Sequence, residues 1–306
     1  MDIGESPSVN RAGLPFLRSL YAALEARGRG SALVVSQVCA VAWWLVALHF
    51  WMQGRIPAWI DQQTTFLPLA QHFFNPYAIP SFVSPAWVAL TLLPMGLLPL
   101  PLATLVQSCF YFALMTFVIF KYKGTFVTAL IVFTSFVALD AVIECNIEWL
   151  VSIGLLVPPM LSGPFLLSKP QIALGVMLSY KRRDLLRALL VILLVFLVSL
   201  LIWGVWPLQM WQAVQSHSLG RDFNVAPVVL LPWPIAVGIG IVLAYFAFKR
   251  RDPALSILAW IFFVPYITLY SLLIPFCMIV IRYPRLGLLI TVVMWILIIR
   301  VVIAAF

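Results

Sequence analysis

Apolar runs of about 18 residues or more recur along this chain, and they constrain its fold more than any other feature. Wound as an α-helix, a run of that length crosses the roughly 30 Å hydrocarbon layer of a bilayer. The chain is 64% hydrophobic and only 9% charged, whereas soluble domains carry about 25% charged residues. The runs do not alternate as the strands of a membrane barrel do. The sequence therefore predicts an all-α, polytopic bundle of transmembrane helices.

The net charge of +9 comes from short clusters of basic residues at the ends of the apolar runs. These clusters are Arg11, Arg18, Arg27 and Arg29; Lys181, Arg182, Arg183 and Arg187; Lys249, Arg250 and Arg251; and Arg282 with Arg285. Short cytoplasmic loops of membrane proteins carry such an excess of Lys and Arg. Topology thus explains the charge, and we expect no nucleic-acid partner. The four cysteines show no CxxC spacing and are expected to be small buried side chains.

The charge pattern also orients the chain. Residues 1–30 are expected to be a cytoplasmic segment with an amphipathic helix over 14–28, and residues 31–306 a single transmembrane domain. A first span over about 31–51, expected to be an uncleaved signal anchor, leads outward. The first external loop, with short interfacial helices, is expected at 53–84 and the second at 207–227. Later spans are predicted over 185–205, 228–248 and 286–306, with a hairpin over 254–281 that turns near Pro265.

The middle of the chain permits two topologies. If every apolar segment crosses the bilayer, the count is about eleven, but two lysines then lie outside and three acids inside, against the charge rule. If one segment of 86–120 and one of 149–180 are half-spans, the acids lie outside and the count is about nine. Proline-broken helices occur at membrane depth where they line a cavity. We favour the half-span arrangement.

Acids within or beside spans are costly and are therefore candidate functional residues. Asp61 lies about ten residues beyond the first span. It is either a general base for an acceptor hydroxyl, or a solvated loop acid or helix N-cap. Asp140, Glu144 and Glu148 recur at i, i+4 and i+8, which predicts one shared helix face. This acidic trio could supply a second catalytic acid, metal ligands or a proton relay, or it could form the polar end of a helix.

Basic side chains and a histidine extend the set of candidates. Lys169 stands in an apolar run and could hold a lipid phosphate or snorkel to the interface. Arg55 and Arg221 could bind a phosphate or diphosphate. His72 lies on an interfacial helix expected over 67–74, where a surface position is the simpler interpretation. The chain has no Walker loop, HExxH or GxSxG motif, so a nucleotide-driven reaction is not expected.

A series of short elements follows the Asp61 loop in a definite order. These elements are Asn75-Pro76-Tyr77, Ser84-Pro85, Pro94, Leu98-Pro99, Cys145-Asn146, Lys169-Pro170-Gln171, Arg182-Arg183, Val264-Pro265-Tyr266 and Pro275. In this order and spacing the chain resembles the GT-C superfamily of integral-membrane glycosyltransferases. Within it, the bacterial polyprenol-phosphate-mannose-dependent mannosyltransferases are the group it looks most like. The resemblance extends over residues 60–280.

The resemblance implies a GT-C-like bundle in the bacterial cytoplasmic membrane, with a cytoplasmic N-terminus and no cofactor or metal. The donor would be a sugar on a polyprenyl phosphate, and membrane lipid would be a further partner. Asp61 would deprotonate the acceptor hydroxyl, which attacks with inversion, while Arg55, Lys169 and Arg221 hold the departing phosphate. The other implied substrate-binding residues are His72, Tyr77, Asp140, Glu144, Asn146, Gln171 and Tyr266.

Two functions without catalysis remain open. One is a structural subunit of a membrane protein complex, which would have no need of Asp61. The other is a transporter for a lipid-linked or anionic solute, with the acidic trio as a proton relay. Transporters usually contain an internal repeat, and we find none in this sequence.

Overall fold

The computed structural model describes residues 27–216 and 224–305, and over these residues the chain is helical without a β-strand. The all-α prediction is confirmed. The helices are α1 (Arg29–Met52), α2 (Val88–Leu92), α3 (Leu100–Lys121), α4 (Phe126–Phe133), α5 (Phe136–Glu144), α6 (Glu148–Leu156), α7 (Pro159–Leu166), α8 (Pro170–Ala173), α9 (Arg182–Trp203), α10 (Trp206–Ser216), α11 (Pro227–Leu230), α12 (Trp233–Arg250), α13 (Pro253–Trp260), α14 (Leu273–Arg282) and α15 (Pro284–Ala305).

Four of these helices, α1, α3, α9 and α12, are long and apolar enough to cross a membrane. The pair α4 and α5, bent by 60°, makes a fifth if the two are counted as one broken span. This count, taken over the described part of the chain, is lower than the expected nine to eleven. Prolines and tight turns divide the middle segments into α6, α7 and α8, each of nine residues or fewer. The chain therefore has the composition and helix lengths of a membrane protein, with several broken helices in its middle.

Burial separates central helices from peripheral ones. In α3, 56% of the most apolar window is buried, against 11% in α9 and 17% in α12. The two peripheral helices expose large apolar side chains such as Leu194 and Ile241. A helix that is apolar on all sides and leaves most of its surface uncovered by protein suits a lipid environment. The main core instead lies where α3, α4, α6 and α14 meet.

One segment differs from expectation, and another, the late hairpin, is present. The helix expected over 67–74 is only a 3₁₀ turn, Pro68–Ala70, preceded by a π-helix, Gln62–Phe66. Asn75 precedes a proline, and a residue in that position avoids helical backbone angles, so the chain turns there. The hairpin over 254–281 is present as α13 and α14, joined by residues 261–272, which include a 3₁₀ turn. The amphipathic helix expected over 14–28 falls largely outside the described residues.

Candidate functional site

The loop after α1 is fixed to the end of α5 by Trp59. The Trp59 backbone N–H donates to the Ile143 carbonyl at 2.8 Å, and its indole Nε1 donates to the Val142 carbonyl at 3.0 Å. The last carbonyls of a helix lack partners within the helix, so Trp59 supplies the donors that they need. Its ring is fully buried and stacks on Trp44. This anchor places Asp61, two residues further on, beside the end of α5.

The chain breaks between α5 and α6, and a buried glutamine stabilises the break. Cys145 adopts left-handed backbone angles, φ 47° and ψ 50°, which end α5. Gln107 of α3 donates through Nε2 to the carbonyls of Cys145 and Asn146, both at 2.7 Å. Gln62 in turn donates to Gln107. Backbone groups at membrane depth must find partners within the protein, and these two glutamines provide them.

Asn146 connects the first loop to the late hairpin. Its Nδ2 donates to Asp61 Oδ2, a contact between residues 85 positions apart, and lies 3.3 Å from the Tyr270 hydroxyl. Asn146 is buried and Asp61 is half-buried. The amide therefore fixes the orientation of a carboxylate that is shielded in part from solvent.

Lys169 forms a buried ion pair with Glu148. The lysine side chain is 12% exposed and the glutamate side chain 2%. Ser271 Oγ donates to Glu148 Oε1 at 3.2 Å, and Lys169 Nζ lies 4.6 Å from the centre of the Tyr270 ring. A buried ion pair needs such additional polar contacts because both charges have lost water. Lys169 is thus paired within the protein and does not extend to the membrane interface.

The prediction that Asp140, Glu144 and Glu148 share one helix face is wrong for Glu148. The left-handed turn at Cys145 ends the helix after Glu144, and Glu148 begins α6. Asp140 lies against the backbone of Tyr270, and Glu144 is electrostatically coupled to Asp140, Asp61, Glu148 and Lys169. Lys169 pairs with Glu148 and is electrostatically coupled to Asp61 and Glu144, and Asp140 is coupled to Glu144 and Glu148. We call Asp61, Asp140, Glu144, Glu148 and Lys169 the acidic cluster.

Tyr266, in the loop between α13 and α14, faces this cluster. Burial raises the pKa of its hydroxyl, the nearby charge of Lys169 opposes that rise, and Asp61 and Glu144 add to it. Neighbouring charges act in this way only at short range. Within the described residues, no group of three His, Cys, Asp or Glu side chains has the arrangement of a metal site.

The other predicted site residues are exposed or half-buried, contribute to the framework of the first loop, or fall outside the described part of the chain. Arg55 and His72 are exposed. The Tyr77 hydroxyl donates to the Ser84 carbonyl at 2.8 Å, which stabilises the first loop, and burial raises its pKa. Gln171 is half-buried in α8. Arg221 lies outside the described residues.

Several site residues were not identified from the sequence. A buried amide in a membrane span is costly, and that signal alone could have identified Gln107. Tyr270, Ser271 and Gln62 carry no comparable signal, because their roles depend on how the late hairpin and the first loop pack.

No family model, curated protein or solved structure matches this chain. The fold and composition define the class, a helical membrane protein with an acidic cluster at the break between two of its helices.

Proposed function

We propose that this chain is a GT-C-like membrane glycosyltransferase. It moves a mannose-like hexose or a pentose from a polyprenyl phosphate to a lipid or glycan acceptor at the outer face of the bacterial cytoplasmic membrane. The observation that supports this proposal is the contact between Asp61 and Asn146. It joins the acid of the first loop to the Asn element of the middle segment, and both elements belong to the resemblance described above.

In this reaction Asp61 acts as the general base. Its carboxylate takes the proton of the acceptor hydroxyl, and the acceptor oxygen bonds to the anomeric carbon of the donor sugar. The bond between that carbon and the phosphate oxygen breaks, and the phosphate leaves with the electron pair. A single displacement of this kind inverts the anomeric centre. General-base catalysis contributes roughly 10²–10⁴-fold in rate, and Asn146 holds the base in one orientation.

The leaving phosphate requires positive charge, which stabilises the transition state most where water is excluded. Lys169 is the cation of the acidic cluster, and in the substrate-free protein it forms an ion pair with Glu148. In the proposed complex the phosphate shares Lys169 with Glu148, while Ser271 continues to donate to the glutamate. Arg55, exposed on the same loop as Asp61, supplies a second cation.

The test is the Asp61→Asn variant, because asparagine keeps the shape of the side chain but accepts no proton at neutral pH. We expect turnover of a radiolabelled polyprenyl-phosphate sugar in proteoliposomes to fall by roughly 10²–10⁴-fold. The matched control is Asp184→Asn, a half-buried acid at the start of α9, which should retain turnover. Equal turnover of wild type and Asp61→Asn would remove Asp61 from the mechanism.

A second function, proton-coupled transport, is favoured by the excess of negative charge in the cluster. The cluster contains four carboxylates and one ammonium group, and neighbouring carboxylates disfavour full ionisation of the set. Wild-type proteoliposomes that show no sugar transfer, but take up protons in a way that Glu144→Gln abolishes, would support transport over glycosyl transfer.

A further inference from the structure

A cavity of about 780 Å³ lies at the opposite end of the bundle from the acidic cluster. Two helices connect the two places. Along α3, Gln107 contacts the break beside the cluster and Lys121 lines the cavity. Along α6, Glu148 belongs to the cluster and Leu155 lines the cavity. At a rise of 1.5 Å per residue, Gln107 and Lys121 lie about 20 Å apart along α3, so the cavity is a separate place in the molecule.

Positive charge predominates around this cavity. Its lining contains five cations and two acids: Lys121, Lys123, Lys181, Arg251 and Arg282, with Asp184 and Asp252. Arg282 pairs with Asp252, and Lys121 donates to the carbonyls of Leu155 and Leu156 at 2.8 and 3.0 Å. The other three cations are exposed and make no ion pair with any residue that the structure describes.

Two of those three cations have unusual backbone angles. Lys123 has φ 68° and Arg251 has φ 49°, in the left-handed region that glycine occupies at no steric cost. Among the described residues, the only other non-glycine positions with positive φ are Trp59 and Cys145, both beside the acidic cluster. Both residues closely follow the end of a helix, where a left-handed residue commonly closes the last turn: Gly124 N–H bonds to the Ile119 carbonyl, and Asp252 N–H bonds to the Ala247 carbonyl. These two caps fix the backbone of Lys123 and Arg251 beside the cavity.

The rest of the cavity wall is apolar. Leu155, Val157, Val176 and Ile281 contribute hydrocarbon surface next to the cations. A small soluble anion makes no favourable contact with an apolar wall, whereas a phosphate attached to a hydrocarbon chain can contact both the cations and the wall. Basic pockets between membrane helices bind the headgroups of anionic lipids.

We propose that this cavity binds the phosphate of an anionic phospholipid. Lys123, Lys181 and Arg251 contact the phosphate, and the start of an acyl chain lies against Leu155 and Ile281. This site is independent of the proposed glycosyl transfer, because none of its residues belongs to the acidic cluster. The recognised chemistry is a phosphate group, and the apolar wall assigns it to a lipid in preference to a soluble phosphate compound.

The test uses the purified full chain in detergent and measures bound lipid by native mass spectrometry. The probes are phosphatidylglycerol, phosphatidylcholine and inorganic phosphate. In the double variant Lys123→Gln, Lys181→Gln, we expect phosphatidylglycerol affinity to fall by about 30-fold, since each basic residue near a headgroup contributes roughly fivefold. The matched control, Lys249→Gln with Arg250→Gln, removes two charges from the adjacent end of α12 and should bind as wild type does.

A third variant separates the cavity from the general charge of this surface. Ser179→Phe adds volume to the cavity wall without changing a charge, and it should also weaken phosphatidylglycerol binding. Equal weakening by both charge-removal variants would overturn the proposal, because the surface and not the cavity would then attract the lipid. Binding of inorganic phosphate without binding of phosphatidylglycerol would overturn the lipid assignment.

Discussion

At the scale of single residues, Asp61, Glu148 and Lys169 of the acidic cluster are each held by specific polar partners. Ser271 donates a hydrogen bond to Glu148 in the buried Lys169–Glu148 pair, and Asn146 donates one to Asp61. Composition and position could identify Asp61 and Lys169 as exceptional, because acids and lysines within apolar sequence are rare. They could not identify the partners, since the Asp61–Asn146 contact joins residues 85 positions apart. Lys169 was a candidate for phosphate or for the interface, and the structure adds an ion pair that neither interpretation included.

The buried Lys169–Glu148 pair predicts that a single substitution lowers the free energy of unfolding much more than a double substitution does. Lys169→Met leaves the 2% exposed Glu148 side chain without its counter-charge, and should destabilise the protein by about 3–5 kcal/mol. Lys169→Met combined with Glu148→Gln should recover most of that loss, because no buried charge remains. Thermal unfolding in detergent measures both changes.

The more exposed pair, Arg282 with Asp252, is the control for this measurement. Its side chains are 32% and 18% exposed, and Arg282→Gln should cost no more than about 1 kcal/mol. Similar losses for Lys169→Met and Arg282→Gln would show that burial does not set the strength of the first pair.

At the scale of elements, the long helices were predictable and the breaks were not. Continuous apolar runs with basic ends locate α1, α9 and α12 to within a few residues. The spacing of the acidic trio predicted a helix that continues through Cys145, whose left-handed conformation ends it. Cysteine has no preference for the left-handed conformation, so the residue at position 145 does not predict such a turn. The break depends on Gln107 and Trp59, which come from distant segments.

The turn between α3 and α4 gives a prediction about backbone strain. Lys123 has φ 68°, so Lys123→Gly should stabilise the chain by up to about 1 kcal/mol by removing a left-handed conformation from a residue with a Cβ. Its neighbour provides the opposite change. A Cβ added at Gly124 would lie 2.6 Å from Ile119 Cγ2, so Gly124→Ala should destabilise. The melting temperatures of the two variants test this prediction, and a higher melting temperature for Gly124→Ala would contradict it.

At the scale of the whole molecule, the acidic cluster and the basic cavity lie at opposite ends of shared helices. An excess of Lys and Arg such as the one around the basic cavity orients a protein in its membrane, and it predicts that the 53–84 and 207–227 loops lie together on the other side. His72→Cys and Gln215→Cys, both at exposed positions, should react with an impermeant maleimide in intact cells. Lys181→Cys should react only after permeabilisation. Labelling of just one of the two loop positions from outside would contradict this topology.

The π-helix after Asp61 makes the direction of that carboxylate depend on the number of residues in the turn that follows it. In Gln62–Phe66 the Leu67 N–H bonds to the Gln62 carbonyl, five residues back, whereas an α-helix spans four. The turn therefore contains one residue more than an ordinary helix, and such bulges occur frequently at functional sites. Deleting exposed Thr64 would restore ordinary winding and rotate Asp61 by about 100° relative to Phe66. The chemistry proposed for Asp61 therefore requires the one extra residue in this turn, which sets the direction of the carboxylate, as well as the carboxylate itself.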